Sequence, residues 1–157
     1  MKQSMLPISL FVIVLSFQFW CSSCQTRDQK DSLNFSRNDT ISVIQTALED
    51  AKLDSIFKMA FPGKELKLVR NNYVKSDYKV IYRGKQTLIV NYDSSYYYPS
   101  NDPKAARFFG VVNLFKRISK DQAKVVLLFH GIGVVADFHV DRVDEKWQIS
   151  KRVLGRF

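Results

Sequence analysis

Asp137, His139 and Asp141 alternate with Val134, Ala136, Phe138 and Val140. On an extended chain the three polar groups then share one side and the apolar ones the other. Two carboxylates and an imidazole are donors a divalent cation could use. A second imidazole would have to come from His130, whose even position belongs to the opposite face unless Gly131 and Gly133 reset the register. The wet side of a half-buried strand accounts for the same pattern, so no metal and no other cofactor is expected. Tyr96, Tyr97 and Tyr98, followed by Pro99, offer a different chemistry. Three consecutive aromatics cannot all point into one core, and an exposed tyrosine supplies flat contact area with a hydrogen-bonding tip. The charge around them is lopsided: residues 58–120 hold thirteen Lys or Arg against four acids, whereas residues 24–57 hold four against six. All seven tyrosines fall between Tyr73 and Tyr98, inside the basic stretch. Cations interleaved with aromatics recognise anionic ligands, which makes Tyr96, Tyr97, Tyr98, Arg83, Lys85 and Arg107 the candidate binding residues.

The segment Val125-Val-Leu-Leu-Phe-His-Gly-Ile-Gly133 resembles the strand and oxyanion turn of α/β-hydrolases. That machinery also needs a Gly-x-Ser-x-Gly elbow and a later catalytic histidine. The chain has no such elbow, and only 27 residues follow His130. No catalytic residues are therefore assigned, and the chain reads as non-catalytic.

Lys2 precedes an apolar run from Leu6 to Trp20, and no acid occurs before Asp28. This is the layout of an export signal. The run of about 15 residues is shorter than the roughly 18–20 needed to cross a bilayer as a helix. Ser22 and Ser23 then stand directly before Cys24. The first 25 residues thus resemble a bacterial lipoprotein signal, in which the bond before a cysteine is cut and the new terminal cysteine is acylated. The resemblance implies a signal peptide over 1–23, lipidation (palmitate or a similar chain) at Cys24, and residence in the cell envelope on a membrane, the outer one by preference. Acylation would also remove the liability of a lone thiol outside the cytosol. Two or more acyl chains give stable anchoring where one does not. Export makes nucleic acid an unsuitable partner.

Residues 24–39 are polar apart from Leu33 and Phe35, and are expected to act as a flexible tether. Ser32, Thr40 and Ser55 each follow an aspartate and precede an aliphatic residue, which resembles the O-glycosylation triplet of some bacterial envelope proteins. Linker and helix-cap chemistry explains the same triplets equally well.

The elements that must hold the candidate residues come next along the chain. Ser42 with Gln45 fits a capping box, and Ile41, Ile44, Leu48 and Ala51 have helical spacing. One helix, with a break expected near Leu53, should end at Pro62-Gly63. Strand alternation follows, with a hairpin around Arg83-Gly84-Lys85, a long loop over 94–106, strands over 109–118 and 123–129, a bend at Gly131 and Gly133, and a last strand beginning at Trp147. The expected fold is α+β: an N-terminal helix, whole or broken in two, on a curved, mainly antiparallel sheet of five to six strands over 40–157. This order of elements resembles nuclear transport factor 2-like and cystatin-like curved-sheet families.

With 46% hydrophobic residues the 157-residue chain can bury a core, which excludes a disordered polypeptide. Its two cysteines, Cys21 and Cys24, cannot form a disulfide framework for the fold and lack companions for a four-ligand zinc site. The expected function is that of a small membrane-anchored envelope protein, binding a protein partner or an anionic glycan or lipid. The alternative is a pocket protein or enzyme of the nuclear transport factor 2-like kind, for which Asp77 and Asp93, near strand ends, are the candidate carboxylates in the middle of the sheet.

Overall fold

The structure, a computed structural model, describes residues 35–93 and 107–157. Cys24, Ser32, Tyr96, Tyr97 and Tyr98 lie outside the described residues, as do the signal segment and most of the expected tether. No helix among the described residues is long and apolar enough to cross a membrane.

Helix α1 spans Arg37–Leu48 and helix α2 spans Ala51–Ala60. The first starts earlier than its capping-box spacing predicts. Ser36 is the cap, its Oγ accepting from the Asp39 N–H at 3.0 Å. Gln45 turns away from Ser42, and its Oε1 accepts from the Ile81 N–H at 3.2 Å. Phe35, placed in the tether by its polar surroundings, packs edge-on against Phe115 and Trp147 at 5.6 and 5.3 Å. The folded region therefore includes residues 35–39, because one aromatic ring is worth more buried than in water. The break between the helices falls at Asp50, which caps α2 through the Leu53 N–H at 3.0 Å.

Six strands form one sheet in the order β4-β1-β5-β6-β7-β8: β1 Lys67–Val69, β4 Leu88–Val90, β5 Phe109–Ser119, β6 Gln122–Phe129, β7 Val134–Val143 and β8 Lys146–Arg156. Strands β2 (Ile81–Tyr82) and β3 (Lys85–Gln86) make a separate antiparallel ribbon. The α+β class is thus as expected. The sheet is mixed, however, since β1 runs parallel to both β4 and β5 while the other three pairs are antiparallel. The alternation on β7 holds, with Val134, Ala136, Phe138 and Val140 all buried.

Gly131 and Gly133 do not bend one strand. They lie in a tight turn over His130–Ile132 and just beyond it, joining β6 to an antiparallel β7. Gly133 has φ +60°, and a Cβ there would lie 2.9 Å from the Phe157 carbonyl oxygen, so both conformation and space require glycine. The helices and the inner sheet face share a core in which Phe57 meets Phe108 at 4.8 Å and Phe129 at 4.5 Å.

Candidate functional site

The two-residue turn Arg83-Gly84 reverses the chain between β2 and β3 with both φ angles positive, +50° and +73°. This is the twist a tight hairpin favours, and glycine supplies its second position without strain. Arginine at the first position carries a conformational cost that Asn, Asp or Gly would lessen. What holds it there is visible around its side chain. Arg83 Nε donates to Asp54 Oδ1 at 2.7 Å, its Nη2 donates to the Asp54 carbonyl at 3.3 Å, and the guanidinium lies 5.0 Å from the Tyr82 ring centre.

Asp54 gathers three partners, since Lys58 Nζ stands 2.8 Å from Oδ2 and the Tyr82 hydroxyl donates to Oδ1 at 2.8 Å. The hydrogen bond from Lys58, with those from Tyr82 and Arg83, overcomes the opposing effect of burial and lowers the Asp54 pKa to about 2. Burial, and then the bond to the Asp54 carboxylate, push the Tyr82 phenol upward. A folded pKa below the unfolded value of 3.8 stabilises the fold at higher pH. That contribution is fully present above pH 3.8 and is lost as pH falls through about 2. D54N should therefore cost about 1–2 kcal/mol at neutral pH and flatten the acid limb of stability against pH. Urea midpoints between pH 2 and 7 measure it, and parallel curves for both proteins would remove Asp54 from this role.

Arg83 and Lys85 of the hairpin share a cleft with the residues that lead into strand β1. Together with Gly63, Lys64, Glu65, Leu66, Lys67, Tyr82 and Gln86–Leu88 they line a cleft of about 240 Å³. Four cations and a single carboxylate face it. Lys85 pairs with Glu65 at 2.9 Å, and both side chains are about three-quarters exposed. The Lys85 charge lowers the Glu65 pKa, first through their hydrogen bond. An exposed pair of this kind is weak, so the ammonium can be redirected to a ligand. Lys67 Nζ lies 5.7 Å from the Phe109 ring centre. Thr87 also lines the cleft. Its side chain is buried and its hydroxyl has no hydrogen-bond partner.

Two of the six candidate binding residues, Arg83 and Lys85, therefore meet at one cleft. Arg107 is exposed just before β5 and does not line it, and the tyrosine triplet is outside the described residues. Lys64, Lys67 and Thr87 were not singled out by the sequence. The basic stretch was their one signal, and the parallel pairing of β1 with β4 is what selects them from it.

Asp137, His139 and Asp141 do share the outer side of β7, but Asp137 pairs with Lys124 on β6 at 2.8 Å. No group of three or more metal donors occurs among the described residues. His130 sits in the turn, its ring 5.1 Å from that of Phe157, and burial lowers its pKa. Asp77 is exposed and bridges to Arg37 at 2.8 Å, while Asp93 is exposed beyond the end of β4. Neither lines the cleft. Thr40 and Ser55 lie on the helices, each donating its hydroxyl to the carbonyl four residues earlier, at 3.1 and 2.8 Å. No protein-family model, curated protein or solved structure matches the chain.

Proposed function

We propose that this chain is a lipid-anchored protein of a bacterial envelope, held on a membrane through acylated Cys24, and that it binds an anionic envelope component without transforming it. The observation that carries the binding half is the basic cleft, where Lys64, Lys67, Arg83 and Lys85 surround one carboxylate. Cations concentrated at a concave site raise the local concentration of an anion and its rate of capture. The anchoring half rests on the signal layout and on Ser22-Ser23-Cys24. On this proposal the sheet is a curved one of nuclear transport factor 2-like or cystatin-like kind, with the helices on its concave side. A pocket between helices and sheet is the second reading. The first is favoured because Leu53, Phe57, Leu127, Phe129 and Phe138 fill that space as fully buried core.

Heparin serves as a soluble anionic probe, and salt-dependent binding to the full chain in detergent tests the cleft. The double variant K67Q/K85Q should bind at least tenfold more weakly, with a salt slope shallower by about two. K120Q/K146Q, which removes two exposed cations elsewhere, should change little. Equal losses in both pairs would show that net charge alone is at work and would overturn the cleft as the site. In cells, C24A should leave the membrane fraction, and retention there would overturn the anchor.

A further inference from the structure

We infer that β8, the last strand of the large sheet, takes up an acidic, extended segment of a partner protein as a further strand on its open edge. The basic cleft lies at the other edge, beside β1 and β4, so this is a second surface. Strand β4 ends the sheet there with three residues, whereas β8 runs for 11 residues with a strand partner on one side only. An edge of that length offers a row of N–H and C=O groups to another strand. The ladder tells which groups these are. The Phe157 N–H bonds to the Gly133 carbonyl, on the β7 side, and alternate residues of an antiparallel strand turn their backbone groups to opposite sides. Arg156, Leu154 and Arg152 therefore direct theirs away from β7. Among the described residues, a bond to the open side of the β8 backbone comes only from Thr46, whose hydroxyl donates to the Trp147 carbonyl at 3.4 Å, near the start of the strand.

Charge names the partner. No acid occurs from Lys146 to Phe157. Lys151 and Arg156 are exposed, and neither has an ion pair among the described residues, while Arg152 is committed to Asp50. Lys116, Lys124, His139 and Lys151 stand directly opposite one another across β5, β6, β7 and β8 as a row of basic groups, in which Asp137 compensates Lys124 alone. An acid on an added strand beside Lys151 continues that row with the opposite sign. Two antiparallel copies of β8 would instead set bases among bases. Edge lysines guard a sheet against its own copies, and the same charge selects an acidic strand.

Between Lys151 and Arg156 stand Val153, 53% exposed on the outer side with Asp137, and Leu154, half-buried on the inner side with Ala136. A complementary strand therefore reads acid-x-apolar-apolar-x-acid. Its acids meet Lys151 and Arg156, and its apolar pair meets Val153 and Leu154. The pattern is the same in both directions, so it fits either strand orientation.

Fluorescence anisotropy of the labelled peptide GETVVTEG, titrated with the full chain in detergent, tests this. It should bind about fivefold more tightly than GVTEETVG, which has the same composition, and than the lysine form GKTVVTKG. K151E/R156E should abolish binding of the acidic peptide and confer binding of the lysine form, whereas K67Q/K85Q, in the cleft, should change neither. R156P and R156Q lose the same charge, but only proline also loses an N–H on the open edge, so R156P should bind about threefold more weakly than R156Q at an equal melting temperature. Amide exchange on the unaltered chain gives the same reading without a variant: saturating GETVVTEG should slow exchange at Arg152, Leu154 and Arg156. Equal binding of GETVVTEG and GVTEETVG, exchange unchanged at those three amides, or a loss in K67Q/K85Q equal to that in K151E/R156E would overturn strand addition at β8. A dimer of the unaltered chain in sedimentation, reduced to monomer by R156P, would overturn the acidic partner in favour of a second copy. Failure of every peptide while heparin still binds would overturn the edge and leave the cleft standing.

Discussion

Truncating Phe57 to alanine should lower folding stability by about 3–5 kcal/mol, the range for removing a large aromatic from a packed core. Phe57 is fully buried on α2 and touches four rings: Phe61, Tyr82, Phe108 and Phe129, at centroid distances of 6.4, 6.2, 4.8 and 4.5 Å. These partners come from the end of α2, from β2, from the approach to β5 and from the end of β6. One side chain therefore ties the helix to the sheet and to the ribbon that carries Arg83. The loss combines transfer of the ring to water with a cavity that neighbouring rings can fill only in part. In a melting experiment it should appear as a fall of about 10–20 °C, and F57L should recover more than half of it. A fall of under about 1 kcal/mol would mean that the aromatic cluster is not the centre of the fold. Because Tyr82 rests on Phe57 and bonds to Asp54, F57A should also loosen the hairpin and weaken heparin binding in step with stability.

The same cluster shows which parts of the molecule could be read along the chain. Strand β7 was legible because burial alternates along it from Val134 to Val140 and a short turn joins it to β8. The Asp144-Glu145 turn has both residues at positive φ, +47° and +63°, in the two-residue hairpin geometry that polar turn residues signal. Strand β1 was not legible. Three residues, Lys67–Val69, contain no period to detect, and its partners Leu88–Val90 and Phe109–Gly110 lie 20 or more residues away. Parallel pairing leaves no local turn signature. Gly131 and Gly133 misled for a related reason: apolar residues resume directly after them, which a bend and a tight turn both allow. The cleft inherits this division. Arg83 and Lys85 follow from a local hairpin, whereas Lys64, Lys67 and Thr87 join them only through the β1–β4 pairing. Asp54, read as part of a modification triplet with Ser55, instead organises the ion pairs behind Arg83.

Removing the Arg152 charge should have the second large effect, about 3–5 kcal/mol in R152M, because it leaves the Asp50 carboxylate buried without its cation. Asp50 is 4% exposed; one oxygen caps α2 at the Leu53 N–H, and the other accepts from Arg152 Nε at 2.7 Å and from Arg152 Nη2. The two partners are not equivalent. The Arg152 side chain is 29% exposed and that of Asp50 only 1%, so an orphaned guanidinium can reach water and an orphaned carboxylate cannot. D50N should therefore cost less than R152M, about 1–2 kcal/mol, since asparagine remains a good helix cap. D50A loses cap and pair together and should fall between D50N and R152M or match the latter. The double variant D50N/R152M is decisive. Replacing a buried pair by neutral groups of similar size is often near neutral, so the double variant should be more stable than R152M alone. Denaturant midpoints at neutral pH measure all four proteins, and little salt dependence is expected for a pair so sheltered on its acidic side. Simple additivity of D50N and R152M would show that no coupling joins the cap of α2 to β8. A measured coupling would show that the cap opening α2, the helix that carries Asp54, is held by a side chain from the edge strand of the sheet.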